Sequence, residues 1–297
     1  MPNGSSGGTF RRRAVLLAIG TGACLCVAIG GALAAGVNFV TVSKTVPSGE
    51  PGRTPATAKC GSGQHVTSGG VQVTGPGDEL ELEVGSTLPK KHNTAWAGGG
   101  NNTSGADAQM NVTAICTKGK FHYETVKAKV HPGKAVRKVA KCPLGMYVIG
   151  GGVGAPGDHG VEVFLSEPRD GPDKGTKLND AWGGGENNSQ SGKTTTMKVT
   201  AICEKVPKRS IKRVIGPKKL LPDNTSDAAQ VFCPAGTHIV GGGPHTSPHS
   251  TDSEVESSFP IDGPDLDLKP DDGWESDANN DDSGFQIKLR SVALCVA

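Results

Sequence analysis

The sequence predicts an all-β protein of three tandem, disulfide-closed units, each about 80 residues long, behind an apolar N-terminal helix. Three observations predict it. CPLGMYVIGGG at 142–152 returns as CPAGTHIVGGG at 233–243, and more loosely as CGSGQHVTSGG at 60–70. Strands ending in cysteine close each repeat, and they alternate apolar and polar residues. Composition is the third: 44 Gly and 20 Pro in 297 residues, with 4% aromatic and 35% hydrophobic residues, favour short strands and many turns over one large core.

The N-terminus comes first. Arg11, Arg12 and Arg13 precede an uncharged stretch from Ala14 to Gly36, and Ala32-Leu33-Ala34 has the small-residue form of a cleavage site. A signal peptide cleaved near Ala34 is expected; an anchor formed by residues 14–36 is the alternative, and both place the rest of the chain outside the cytoplasm. Arg12-Arg13 also resembles a twin-arginine signal. Cys24 does not fit a lipid attachment site, because the apolar stretch continues past it.

The repeats divide the remainder into 37–120, 121–209 and 210–297. Each opens with a strand, a Pro-containing turn and a second strand entering a cysteine (ATAKC, KVAKC, AAQVFC), read here as a hairpin. The Gly-rich strand follows. SEPRDGPD at 166–173 and SFPIDGPD at 258–265 match at six of eight positions, while unit one has no such loop. Every unit then shows Trp-x4-Asn-Asn: Trp96 with Asn101 and Asn102, Trp182 with Asn187 and Asn188, Trp274 with Asn279 and Asn280.

The closing strands MNVTAIC, MKVTAIC and LRSVALC put Met110, Val112, Ala114 and Cys116 on one face, and Met197, Val199, Ala201 and Cys203 likewise. In unit three the expected set is Phe285, Ile287, Leu289, Ala293 and Cys295. Inward cysteines can meet their unit's opening cysteine, so Cys60–Cys116, Cys142–Cys203 and Cys233–Cys295 are the expected bridges among 15 possible pairings.

The Gly-Gly-Gly stretch has neither the Lys-Ser/Thr of a phosphate loop nor a helix pattern after it. It reads as a bulge or a close backbone approach. The three Trp and six Asn residues are the candidate binding residues, for ring stacking and amide hydrogen bonds to a sugar; the competing reading is a core Trp followed by turn chemistry. His245 and His249 have metal-like spacing in a proline-interrupted loop. Asp262, Asp265, Asp267, Asp271 and Asp272 offer oxygen ligands without an EF-hand pattern, and solvated turn acids explain them as well. No metal and no cofactor is expected. No acid/base pair recurs at a defensible spacing, and no Ser-His-Asp or Cys-His arrangement is found, so no enzymatic activity is expected.

Charge is segregated despite a net +2: residues 252–282 carry 12 acids and one lysine, whereas Lys205, Lys208, Arg209, Lys212, Arg213, Lys218 and Lys219 form a basic run. Export and scarce aromatics argue against nucleic acid as a partner. The Cys-Pro-x-Gly, Trp-x4-Asn-Asn and Val-Thr-Ala-Ile-Cys motifs resemble repeats of secreted actinobacterial proteins of unassigned function, over about residues 37–297. That resemblance implies export and β structure and carries no functional residues. A fainter similarity to Gly-rich three-fold β-prism proteins offers one pseudo-symmetric domain as the alternative architecture. The expected role is a non-catalytic secreted or cell-surface protein binding glycan or another envelope polymer. A structural role, or an interaction with another surface protein, is the alternative.

Overall fold

A computed structural model describes residues 36–297 apart from the loop residues 50–52, 76–81, 91–92, 156–159, 170–179, 190, 206–210, 249–252, 264–266, 268 and 282–283. The stretch expected to be a leader or anchor, with Cys24 and Cys26, lies outside the described residues up to residue 35, as do His249 and Asp265. Among the described residues no helix is long and apolar enough to cross a membrane.

Among the described residues all the regular structure is β. Unit one gives β1 (Val37–Val46), β2 (Thr54–Lys59), β3 (His65–Thr74), β4 (Leu82–Lys90), β5 (Ala95–Asn102) and β6 (Ala108–Thr117). Unit two repeats the order with β7 (His122–Val130), β8 (Ala135–Lys141), β9 (Met146–Gly154), β10 (Glu162–Arg169), β11 (Ala181–Asn187) and β12 (Thr195–Lys205). Unit three opens with two short strands, β13 (Lys212–Ile215) and β14 (Lys219–Leu221), and both pair with β19. Gly216-Pro217 divides them, because proline has no N–H to give the ladder. Then come β15 (Thr225–Phe232), β16 (His238–Ser247), β17 (Ser253–Ile261), β18 (Gly273–Asn280) and β19 (Ile287–Val296).

The units do not keep their strands to themselves. The first sheet runs β1-β6-β3-β17-β18-β15, the second β2-β5-β4-β9-β12-β7, and the third β13-β19-β16-β10-β11-β8. Each sheet is therefore half one unit and half another, and the described residues form a single compact body. The expected opening hairpins are corrected: the first two strands of a unit enter different sheets, and the turn between them crosses over. A unit folded alone would leave its third and fourth strands as bare edges. Pairing them with neighbours, at Val71↔Ser258, Thr87↔Val153 and His245↔Leu165, removes those edges.

Within a unit the two half-sheets face each other, and a disulfide ties them. Cys60–Cys116, Cys142–Cys203 and Cys233–Cys295 are formed, with Cα–Cα distances of 5.6, 5.8 and 5.7 Å. Their loops span 56, 61 and 62 residues, so each bridge contributes about 4 kcal/mol by restricting the unfolded chain. The double substitution Cys142→Ser, Cys203→Ser is expected to remove about that much stability, read as a shift in urea midpoint.

The Gly-Gly-Gly stretch combines both expected features. One residue ahead of it is bulged out of register, Thr67 in β3, Ile149 in β9 and Val240 in β16. A Cβ on Gly151 would collide with the Trp182 ring, and one on Gly243 would collide with the Ser166 carbonyl of the neighbouring unit. One glycine thus admits the core Trp, and the next admits a foreign backbone. The expected inner face of β19 needs one correction. Ile287, Leu289, Ala293 and Cys295 are buried, but Phe285 precedes the strand and is exposed.

Candidate functional site

The nine candidate binding residues separate into three groups by position. Trp96 on β5, Trp182 on β11 and Trp274 on β18 are buried to 1% exposure or less. Each indole N–H donates to a hydroxyl on the adjacent strand of its half-sheet: Thr87 Oγ1 at 2.9 Å, Ser166 Oγ at 3.1 Å and Ser258 Oγ at 2.9 Å. With both faces inside a core, the rings offer no platform to a sugar. The fold uses them as the large fillers of cores that are otherwise Val, Ala, Leu and Ile.

The second asparagine of each pair closes the loop before the last strand. Asn102 Nδ2 donates to the carbonyls of Val46 and Ala106, Asn188 to those of Val130 and Lys193, and Asn280 to those of Leu221 and Phe285. These amides tie the end of the first strand to the turn preceding the last.

The first asparagines lead elsewhere. Asn101, Asn187 and Asn279 lie directly opposite Glu83 on β4, Glu162 on β10 and Glu254 on β17. Those three strands meet one another where the units join, so three equivalent carboxyls come together in the interior. Their residues are 3%, 0% and 4% exposed. Asn101 Nδ2 donates to Glu83 Oε2 at 3.4 Å, and Ser189 Oγ to Glu162 Oε2 at 3.0 Å. Glu83 also shares hydrogen bonds with Glu254 and Glu162. Burial, then the charge on Glu83, pushes the Glu162 carboxyl up to about 8. Burial raises Glu83, and burial with the charges of Glu83 and Glu162 raises Glu254 well above the ordinary range. Arg53 offsets part of this at Glu162, while its guanidinium donates to the carbonyls of Ala155 and Val161 at 2.6 and 2.5 Å. Such a cluster cannot hold three negative charges. It shares protons, and it stitches the three units together through carboxyl–carboxyl hydrogen bonds.

One carboxylate per unit therefore recurs, a feature the sequence reading did not single out. The signal was a second repeat, Glu-Val-x4-Pro: Glu83-Val84 with Pro89, Glu162-Val163 with Pro168, Glu254-Val255 with Pro260. Unit one hides its copy inside ELELEV, where the glutamates read as the polar face of an alternating strand.

The remaining candidates are engaged locally. His245 Nδ1 lies 2.8 Å from Glu167 Oε1. Asp271 faces His238 at 3.3 Å, Asp272 accepts from the Gly263 N–H at 2.9 Å, and Asp267 accepts from the Lys269 N–H at 2.8 Å. Among the described residues no His, Cys, Asp and Glu group is arranged to hold a metal ion. Of the basic run, Lys219 pairs with Asp227 at 2.9 Å, and Lys208 and Arg209 lie outside the described residues.

The outward sheet faces differ from one another. On the first sheet Thr41, Ser43 and Thr45 of β1 hydrogen-bond Thr113, Asn111 and Gln109 of β6, and Asn111 passes on to Gln72. On the second, Lys127 of β7 lies directly opposite Lys198 of β12, and Lys129 Nζ donates to Thr196. On the third, Arg290 lies opposite His245. No family model matches this chain, and no curated protein matches it.

Proposed function

We propose that this chain is an exported, non-catalytic protein of the cell envelope that binds a glycan or another envelope polymer on its outward sheet faces. The observation that carries this reading is the contrast between a repeated interior and an exterior that differs between units apart from one threonine pair, Thr41 with Thr113 and Thr125 with Thr200. Trp, the second Asn and the disulfide recur in all three units. At matched register positions outside, the pairs are Gln72 with Asn111, Gly154 with Lys198, and His245 with Arg290. A scaffold kept in triplicate with three different faces suits recognition better than a chemistry that would need its groups preserved.

Export is supported by the arginines and apolar stretch at the N-terminus, and by disulfides, which persist in oxidising compartments. The second sheet points to an anionic polymer. Like charges placed directly across a ladder destabilise it, and a bound polyanion would relieve the Lys127–Lys198 pair. Burial of the three tryptophans favours the second reading, a structural or protein-interaction role without a glycan ligand.

Binding of the protein to envelope polysaccharides, followed by calorimetry, tests the first reading. The variant Lys127→Glu, Lys198→Glu is expected to bind an anionic polymer at least about tenfold more weakly with its melting temperature nearly unchanged. Equal affinity in the variant, or no polymer bound by the parent, would leave the structural role standing.

A further inference from the structure

We propose that the third sheet carries an oxyanion-binding site in which Arg169, Arg213 and Arg290 receive a phosphoryl or carboxylate group, in competition with the resident carboxylate of Glu167. The inference rests on reading the outward faces as binding surfaces, and it names the chemistry one of them takes.

The three-fold repeat allows each seam between units to be compared with the other two. Arg213 on β13 lies opposite Leu294, the residue before the closing cysteine. The matching positions are Phe39, opposite Ile115, and Tyr123, opposite Ile202. Glu167 precedes the proline of its strand, where unit one has Leu88 and unit three Phe259. Two seams thus place aromatic or aliphatic residues where the third places Arg213 and Glu167. A partly buried ion pair is seldom more stabilising than the apolar residues it replaces, so stability does not account for the exchange.

Among the described residues the charges at the third seam do not balance. Glu167, with its side chain 3% exposed, receives Arg169 Nη2 at 2.5 Å, Arg213 Nη2 at 3.6 Å and His245 Nδ1 at 2.8 Å. Arg290 stands across the ladder from His245, and its positive charge acts on Arg213, as does that of Arg169. Glu162, the other acid on β10, belongs to the interior cluster at the far end of that strand, and Lys212 and Lys288 on the neighbouring strands add positive charge. Two guanidinium groups and an imidazole therefore converge on one carboxylate, with a third guanidinium, that of Arg290, near enough for its charge to act on Arg213.

Arg213 keeps a buried donor to spare. Its Nε is buried without a hydrogen-bond partner. Burial lowers its guanidinium pKa, Glu167 opposes that shift, and Arg169 and Arg290 add to it. An oxyanion at this point would accept from Nε and Nη2 together, the planar two-donor geometry that arginine offers to phosphate and carboxylate. The side chains of Arg169, Arg213 and His245 reach solvent, at 31%, 18% and 27% exposure.

The test follows arginine Nε–Hε resonances by ¹⁵N NMR in the full chain, held in micelles if the leader is retained. Inorganic phosphate and sodium acetate are titrated separately, with sodium chloride at matched ionic strength as the reference. The Arg213 and Arg290 signals are expected to move saturably with phosphate or acetate, and the more effective anion identifies a phosphoryl or a carboxylate source. Arg290→Gln is expected to weaken binding at least about tenfold, and Glu167→Gln to tighten it by removing the competing charge. Arg290 is chosen because Arg213→Gln risks opening the seam. Movements that chloride reproduces, or an affinity unchanged in Arg290→Gln, would overturn the site. An envelope polymer bound without movement at Arg213 would overturn the site alone. Phosphate bound here, with no polymer bound anywhere, would leave the site and remove the polymer reading.

Discussion

Trp182→Ala is expected to cost about 3–5 kcal/mol of folding free energy, measured as a shift in urea midpoint at unchanged slope. The indole fills the space that Gly151 leaves open, so deletion creates a cavity between two half-sheets whose backbones cannot close over it. Ser166 also loses the N–H that it accepts. Because each unit completes two sheets, the loss is expected to lower a single cooperative transition and not to melt unit two alone. A loss under about 1 kcal/mol would mean that the ring is not a core residue, and would reopen the stacking role.

The interior glutamates carry the second large effect, which depends on pH. Folding raises the Glu162 carboxyl from 4.5 to about 8 and raises Glu83 and Glu254 too. A carboxyl whose folded pKa lies above its unfolded one binds protons more tightly in the fold. Its contribution is complete below the unfolded value and is lost as pH rises through the folded value. Stability is therefore expected to fall by about 3–5 kcal/mol between about pH 5 and about pH 9. Glu162→Gln keeps a hydrogen-bond donor without a charge, so its stability profile is expected to be flatter and to lie above the parent's at the alkaline end. Superimposable profiles for parent and variant would show that the cluster does not govern the slope.

Much of the fold could be read from the chain because it depended on local period and spacing. Alternation in MNVTAIC and MKVTAIC identified the buried face, and the inward cysteines identified their partners. The glycine triplet showed that something must approach the backbone closely. The approaching groups, Trp182 for Gly151 and the Ser166 carbonyl for Gly243, come from elsewhere in the chain. Alternation says which face is buried and is silent about which unit buries it, so the exchange of half-sheets was not legible. The glutamates escaped for a related reason. An alternating Glu in ELELEV is the ordinary sign of a solvated face, and only the meeting of β4, β10 and β17 turns it inward. Arg213 looked like one lysine-rich run among others until Phe39 and Tyr123 were found at its matching positions.

The exchange of half-sheets also governs when folding can finish. The first sheet needs β17, β18 and β15 from the last third of the chain to stand beside β3 from the first. A growing polypeptide thus holds β3 with one bare edge until β17 has emerged, and contacts so distant in sequence make for slow folding. Closure is a ring, and a ring has no stable two-thirds version. During that delay the free edges are open to pairing with another chain, so a folding helper would serve this molecule better than unaided assembly.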